Sequence, residues 1–181
     1  MIFLGIGSNL SSKFGDRQKN IELAISFLKK YKINVFKKSS FYETFSYPNK
    51  KDPKFLNVVV SVNTNLKPEN LITVLINIEK KLERKREKKN EPRTCDIDII
   101  DYNQQIIEVK NNSLDLTIPH KNMSNRNFVL YPLKEICPNW KHPITKTEIN
   151  DLIDNLKIEN NEITKLSLNG INRHVKKWRT Y

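Results

Sequence analysis

Residues 55–64 read Phe55-Leu-Asn-Val-Val-Val-Ser-Val-Asn-Thr64, which is the clearest strand signal in the chain. Positions 56, 58, 60 and 62 are all apolar, and side chains two residues apart share one face of a strand. The opposite face is mixed, because polar Asn57 and Ser61 flank Val59. We therefore predict a strand with one face in a core and the other face available for a binding site.

The segments on both sides of this run alternate between strand and helix signals. Upstream lie an apolar strand at residues 2–6, a helix from Asp16 to about residue 30, and strand signals at 33–44. Downstream, Pro68 opens a helix predicted to reach about residue 85, and residues 94–101 form another strand. This order predicts an α+β fold, namely a ferredoxin-like αβα sandwich with a mainly antiparallel sheet.

The later part of the chain gives weaker signals. We predict a second small strand pairing between residues 106–109 and 128–130, and a helix near 148–156. From Ile163 onward the chain has no acidic residue and five Lys or Arg residues. We interpret this end as a strand followed by a basic tail.

The charge balance narrows the class of partner. The chain has 181 residues, and 32 Lys and Arg against 20 Asp and Glu give a net charge of +12. A strongly basic chain fits a polyanionic partner such as a nucleotide, a nucleic acid or an anionic membrane. This charge points to a partner class and says nothing about the fold.

The cysteines and the N-terminal residues bear on location. Cys95 and Cys137 lie in unrelated contexts without a CxxC or Cys/His spacing, which argues against a disulfide framework or a zinc site. Residues 1–7 have neither the basic segment nor the long apolar run of a signal peptide or membrane span. We expect a cytoplasmic protein without a membrane partner.

The tripeptide Asp96-Ile97-Asp98 is the sharpest local feature for chemistry. Period-two alternation places both carboxylates on one strand face, while Ile97 and Ile99 enter the core. Two acids this close repel each other, and Mg²⁺ with one or two carboxylates, waters and phosphate oxygens fits between them. The alternative is an edge strand with a solvated acidic face.

A basic segment precedes these acids. Its cations are Arg84, Lys85, Arg86, Lys88, Lys89 and Arg93. A metal-bridged triphosphate needs both signs of charge, because cations stabilise the charge that moves onto phosphate oxygens. The alternative is an ordinary solvated loop. No glycine-rich phosphate loop occurs in the sequence, so phosphates would be held by side chains and metal.

Other side chains allow two interpretations each. Glu79 borders the apolar stripe of its helix and shares a face with Arg86, so it could bind a ribose hydroxyl or pair with a lysine. Phe55, Asn57 and Phe128 offer ring faces and an amide for a flat heterocycle, although each phenylalanine also suits core packing.

Read in order, several short segments resemble the family of 6-hydroxymethyl-7,8-dihydropterin pyrophosphokinases over about residues 1–157. They are Gly7-Ser8-Asn9-Leu10, Ser40-Phe41-Tyr42-Glu43-Thr44, Phe55-Leu56-Asn57, Pro92-Arg93-Thr94-Cys95-Asp96-Ile97-Asp98-Ile99, Ile118-Pro119-His120 and Asn125-Arg126. The pattern Pro-Arg-Thr-x-Asp-x-Asp-[Ile/Leu] is specific in both order and spacing. We predict a pyrophosphokinase domain at 1–157 and a basic C-terminal extension at 158–181, to which the sequence assigns no role.

The resemblance implies a magnesium-dependent transferase of folate biosynthesis. It would move pyrophosphate from ATP to 6-hydroxymethyl-7,8-dihydropterin, giving the pterin diphosphate and AMP. Asp96 and Asp98 would bind two Mg²⁺ ions that bridge the ATP phosphates. The pterin would lie between Phe55 and Phe128, with Asn57 and the backbone near Thr44 reading its edge.

The resemblance also implies the residues that hold ATP and act on it. Arg84 and Lys89 match a catalytic loop, with Arg93 beside it. The implied ATP contacts are Arg93, Glu79, Arg86, Ile99, Thr117, His120 and Arg126. His120 follows Pro119, and a histidine in such a position is more often a structural loop residue than a phosphate contact.

Two other functions are compatible with parts of the sequence. An RNA-binding module on a ferredoxin-like scaffold suits the charge of +12, yet its aromatic sheet signature is absent. A different ATP-dependent transferase on the same scaffold is the second alternative. We expect ATP and hydroxymethyl-dihydropterin as partners, no nucleic acid, and a monomer.

Overall fold

The computed structural model describes residues 1–85, 91–110, 114–156 and 162–166, together with the backbone of residues 173–174. Strands and helices alternate in the first part of the chain, as predicted. In chain order the elements are β1 (Ile2–Ser8), α1 (Arg17–Lys30), β2 (Asn34–Lys38), β3 (Tyr42–Thr44), β4 (Phe55–Asn63), α2 (Pro68–Lys81), β5 (Asp96–Tyr102), β6 (Ile107–Lys110), β7 (Asp115–Ile118), a 3₁₀ turn (Met123–Asn125), α3 (Asn127–Ile136), α4 (Ile149–Asp154), β8 (Ile163–Lys165) and β9 (Arg173–His174).

A seven-stranded sheet forms the centre of the molecule. Its order is β5-β1-β4-β3-β8-β9, with β2 also paired to β4, and every pairing described is antiparallel. β4 is long enough to pair with β3 at one end and β2 at the other, so the predicted strand region 33–44 is two short strands. β6 and β7 form a separate two-stranded sheet.

Both faces of the central sheet are covered, which gives three layers. On one face, α1 and α2 pack on the sheet through a first core that includes Ile21, Leu75 and Val60. On the other face, α3 and α4 form a second core with Phe3 and Ile100. The predicted α+β sandwich with a mainly antiparallel sheet is therefore confirmed.

Val59 explains why β4 does not alternate cleanly. It is fully buried in the second core, whereas its neighbours at 58 and 60 belong to the first core. A strand buried on both faces along part of its length needs apolar residues on both faces there. The end of this face that carries Phe55 and Asn57 lies outside the second core.

The two helices on the first face begin at the predicted residues. Asp16 caps α1, because its carboxylate accepts a hydrogen bond from the backbone N–H of Lys19 at 2.8 Å. Pro68 is the first residue of α2, where the missing N–H costs no helical hydrogen bond.

α2 ends earlier than the predicted residue 85. Its last helical residue is Lys81, and Glu83 has a left-handed backbone with φ of 65°. The N–H of Arg84 then donates to the carbonyl of Glu79 at 3.0 Å, which turns the chain back over the helix end. Arg84 therefore leaves the helix and lies close to Glu79.

The predicted pairing of residues 106–109 with 128–130 is wrong. β6 pairs with β7, and Phe128 lies in α3. The short apolar run at 128–130 resembles a strand, but its pattern continues through Leu133 and Ile136 at helical spacing, and these side chains fill the second core. The predicted helix near 148–156 is confirmed as α4.

The C-terminal part of the chain also enters the sheet. The strand predicted from Ile163 is present as β8, which pairs with β3. Most of the predicted basic tail lies outside the described residues, and the domain boundary at residue 157 stays a prediction. A search of the described residues for a helix long and apolar enough to span a membrane finds none.

Candidate active site

The two acids of β5 lie side by side along one edge strand of the sheet. Asp96 pairs with Gly7 of β1, and Asp98 pairs with Gly5. Ile97, between them, is 2% exposed in the first core, so the predicted alternation holds. The side chains of Asp96 and Asp98 are 20% and 36% exposed, which leaves both carboxylates within reach of a ligand.

Two arginines from the predicted basic segment hold Asp96. Arg84 Nη1 contacts Asp96 Oδ1 at 2.5 Å, and Arg93 Nη2 contacts Asp96 Oδ2 at 2.8 Å. Arg84 Nη1 also pairs with Glu79 Oε1. The guanidinium of Arg84 thus bridges one buried and one half-exposed carboxylate.

Glu79 is buried and tied to β5. Its side chain is 2% exposed, and Oε1 accepts a hydrogen bond from the backbone N–H of Ile97 at 2.8 Å. Burial alone would lower the pKa of Arg84, but the charges of Asp96 and Glu79 outweigh it and raise the pKa. The sequence allowed Glu79 either to bind a ribose hydroxyl or to pair with a lysine. In the structure Glu79 forms an ion pair with Arg84.

Asp98 faces Arg126 and His120, which lie in the segment between β7 and α3. Arg126 Nη1 lies 3.3 Å from Asp98 Oδ2, and His120 Nε2 lies 3.8 Å from the same oxygen. Burial and the charge of Asp96 raise the pKa of Asp98, against the opposing effects of His120 and Arg126. Burial also lowers the pKa of His120, which favours the neutral ring despite the nearby carboxylate.

A second cluster of predicted site residues lies where β3, β4 and β1 meet. Asn57 is 6% exposed, and its Nδ2 donates to Thr44 Oγ1 at 3.2 Å and to the Tyr42 carbonyl at 3.5 Å. A Cβ placed on Gly7 would meet Asn57 Oδ1 at 3.0 Å and Phe55 Cδ1 at 3.6 Å. The absence of a side chain at Gly7 therefore makes room for Asn57, whereas the contact with Phe55 would be an ordinary one.

An arginine covers each phenylalanine predicted to stack on the substrate. The guanidinium carbon of Arg93 lies 5.0 Å from the ring centre of Phe55, and that of Arg126 lies 5.5 Å from the ring centre of Phe128. Such contacts stabilise a cation over an aromatic face. The same two arginines contact the β5 acids, so the structure links the aromatic residues to the acidic pair.

The remaining predicted residues fall into three groups. Ile99 is 3% exposed in the first core, and Thr117 lies on β7. Within the described chain, Thr117 Oγ1 is one of four buried side-chain atoms without a hydrogen-bond partner. Arg86 and Lys89 lie outside the described residues, but the prediction that Glu79 and Arg86 share a face of one helix is wrong, because α2 ends at Lys81.

Asn9 links three segments of the structure, and the sequence pattern did not predict this role. Its Nδ2 donates to Ser46 Oγ at 3.2 Å and to the Pro53 carbonyl at 3.0 Å, and its Oδ1 accepts from the backbone N–H of Arg93 at 2.6 Å. Asn9 thus joins the end of β1, the loop before β4 and the segment that carries Arg93. A polar residue directly after an apolar strand was the available signal, but its three partners are distant in sequence.

The chemistry of the acidic pair fits a hard divalent cation. Asp96 and Asp98 offer carboxylate oxygens on one face, and Mg²⁺ uses one or two carboxylates with substrate phosphates and waters as its other ligands. In the part of the chain that the structure describes, no group of three or more His, Cys, Asp or Glu side chains could hold a metal by itself. The other ligands of such a cation would be waters and substrate oxygens.

Comparisons with known proteins give one consistent family. The sequence pattern of "7,8-dihydro-6-hydroxymethylpterin-pyrophosphokinase (HPPK)" matches residues 3–138. The chain is 35% identical over 150 residues to the 2-amino-4-hydroxy-6-hydroxymethyldihydropteridine pyrophosphokinase of Aquifex aeolicus, a match that covers 83% of this chain and 88% of the relative. The protein of the same name from Bacillus subtilis is 36% identical over 147 residues, covering 81% of this chain and 83% of the relative.

Solved structures support the same fold at low sequence identity. The HPPK-DHPS of Plasmodium falciparum, crystallised as the wild type with pteroate, superposes with a TM-score of 0.68 at 17% identity. The match covers 84% of this chain and 43% of that chain. At this identity the comparison shows the fold alone.

Proposed function

This chain belongs to the 7,8-dihydro-6-hydroxymethylpterin-pyrophosphokinase family, and from that membership we propose how its residues carry out the family's reaction. The reaction transfers pyrophosphate from ATP to 6-hydroxymethyl-7,8-dihydropterin in folate biosynthesis. The observation that supports the assignment of roles is the acidic pair of β5, held by arginines that also cover two phenylalanine rings.

We propose that Asp96 and Asp98 hold magnesium with the ATP phosphates. Bound there, two Mg²⁺ ions would neutralise phosphate oxygens and fix the triphosphate geometry. In the structure both carboxylates contact arginine side chains, which supply the positive charge that bound metal would supply. On binding of ATP with its metal, Arg84, Arg93 and Arg126 would turn from the carboxylates to the phosphates. All three arginines already lie beside the carboxylates that would hold the metal.

The pterin-binding part of the site is proposed at Phe55, Asn57, Thr44 and Phe128. Stacking of a base-like ring on an aromatic face contributes roughly 1–3 kcal/mol, so two faces give substantial affinity. Asn57 is oriented by the hydroxyl of Thr44, which fixes the side on which its amide oxygen meets the pterin edge. A ring held in this way places its hydroxymethyl oxygen in one direction.

Catalysis in this proposal comes from positioning and electrostatics. The hydroxymethyl oxygen attacks the β-phosphorus of ATP, the bond from that phosphorus to the AMP oxygen breaks, and AMP leaves. Arg84 and Arg93 stabilise the charge that develops on the transferred and leaving oxygens. Arg86, Ile99, Thr117 and His120 are proposed as ATP contacts. No covalent enzyme intermediate is required.

Lys89 is proposed to complete the catalytic segment before Arg93, and Glu79 to hold Arg84 beside the nucleotide. Glu79 acts here through its ion pair with Arg84 and its hydrogen bond to Ile97. The RNA-binding alternative has no support from the family comparison. The monomeric state and the cytoplasmic location stay predictions.

One assay tests the proposal directly. The protein is incubated with Mg-ATP and 6-hydroxymethyl-7,8-dihydropterin, and the products are identified by mass. We expect AMP and the pterin diphosphate in equal amounts, and no turnover when magnesium is chelated. Formation of ADP, or undiminished turnover in excess chelator, would contradict the assigned chemistry.

A further inference from the structure

A short segment near the C-terminus completes the sheet beside the proposed pterin site. β8 begins at Ile163, which lies beyond the matched family region at residues 3–138. It pairs with β3 in antiparallel register, with Ile163 opposite Thr44, Thr164 opposite Glu43, and Lys165 opposite Tyr42. β3 has only three residues, and its other neighbour is β4.

Backbone pairing on both sides restrains such a short strand. Without β8, the outer N–H and C=O groups of β3 would be at an edge and bonded to water. The N–H of Leu166 extends the pairing by donating to the carbonyl of Phe41 at 2.8 Å. Ile163 is 2% exposed, so its side chain is anchored in the protein.

A polar cluster fixes the same segment to α3. Glu135 accepts hydrogen bonds from the Tyr42 hydroxyl at 2.7 Å and the Ser40 hydroxyl at 2.8 Å, and Lys165 Nζ lies 3.3 Å from its Oε1. Burial alone would raise the pKa of Glu135, but the hydrogen bonds from Tyr42 and Ser40 outweigh it and lower the pKa. The carboxylate thus joins β3, β8 and α3.

These contacts reach the substrate site through Asn57. The Asn57 amide donates to Thr44 Oγ1 and to the Tyr42 carbonyl, and both acceptors belong to β3. The two β3 residues that orient the amide are the ones that pair with Ile163 and Lys165 of β8. A shift of β3 would therefore move the acceptors of Asn57.

We propose that β8 is a positioning element for pterin binding: the C-terminal segment Glu162–Leu166 holds β3 so that Asn57 is oriented for the pterin edge. This inference rests on the proposed function, because it assigns the pterin to Asn57. In the sheet order β1, β4 and β3 lie between the acids of β5 and β8, so we expect β8 to act on the pterin side of the site.

Two substitutions at one residue separate backbone pairing from side-chain packing. Leu166→Pro keeps an apolar side chain but removes the N–H that donates to Phe41. Leu166→Ala keeps this N–H and shortens the side chain, so it serves as the matched control. Both are made in the full-length protein, and urea unfolding of each reports its stability.

The readout is the dissociation constant for the pterin substrate, measured by its fluorescence, beside that for a non-hydrolysable ATP analogue. We expect Leu166→Pro to weaken pterin binding about fivefold, the effect of losing one backbone hydrogen bond, with ATP-analogue binding within about twofold of wild type. We expect Leu166→Ala to leave both constants near wild type.

The inference is overturned if Leu166→Pro binds the pterin as tightly as Leu166→Ala, or if it weakens both ligands equally. Should the proline variant not fold, Lys165→Ala, which removes the ion pair to Glu135, is measured in the same way with the same criteria. A wild-type protein that forms no pterin diphosphate refutes the proposed function itself. A fully active wild type with an unaffected proline variant refutes only the role of β8.

Discussion

Gly7→Ala gives a sharp test of the proposed pterin site. Gly7 lies in β1 between Asn57 of β4 and Asp96 of β5. An added Cβ would lie 3.0 Å from Asn57 Oδ1, whereas ordinary van der Waals contact begins at 3.4 Å. Asn57 must therefore move by about 0.4 Å, and its bond to Thr44 Oγ1 opposes that movement.

The expected size of the effect follows from this displacement. A misplacement of about 1 Å can cost on the order of a hundredfold in rate, so a shift of about 0.4 Å should cost on the order of tenfold. We expect kcat/KM for the pterin to fall about tenfold, which corresponds to about 1.4 kcal/mol. Because the ATP side of the site is not displaced, we expect the KM for ATP to stay near wild type.

Gly5→Ala is the matched control on the same strand. Its Cβ would meet Ile100 Cδ1 at 3.2 Å, and this terminal methyl can rotate away. Steady-state kinetics with varied pterin at saturating ATP, and with the two roles exchanged, measure both variants. If Gly7→Ala and Gly5→Ala show the same kcat/KM for the pterin, the placement of Asn57 in the substrate site is wrong.

Three further substitutions test other parts of the structure. Asp96→Ala is expected to reduce turnover by at least about a hundredfold at saturating magnesium while pterin affinity is kept, and wild-type turnover would refute the metal assignment. Glu79→Ala removes the buried carboxylate that pairs with Arg84, so the free energy of unfolding in urea should fall by about 3–5 kcal/mol. A loss below about 1 kcal/mol would show that the pair is not needed for stability. Glu135→Gln should lower the stability at neutral pH, because the folded protein lowers the pKa of Glu135 below its ordinary 4.5. The difference in stability from wild type should disappear as the pH falls through the folded-state pKa. A difference that persists below that pH would contradict the ion pair.

Local pattern was sufficient for much of the fold. The strand β4, the alternation at the start of β5, the cap at Asp16 and the proline that opens α2 are each decided by neighbouring residues in the chain, and each is present in the structure. The acidic pair on one face of β5 was predictable for the same reason, since strand geometry alone places residues two apart together.

Errors arose where a local pattern had two solutions. Phe128 begins an apolar run that fits a strand over three residues and a helix over ten, and packing in the second core decided for the helix. α2 stopped at Lys81 because the chain turns back through Glu83, which brings Arg84 onto Glu79 and Asp96. Periodicity alone could not predict that turn.

The sequence therefore specified the elements, the acidic face and the family resemblance, because these depend on residue types and short spacings. The tertiary structure decided which cations face each acid, that Asn9 links three distant segments, and that β8 closes the edge of β3. Those contacts join residues far apart in the chain, and their formation depends on strand order and register, which no short stretch of sequence encodes.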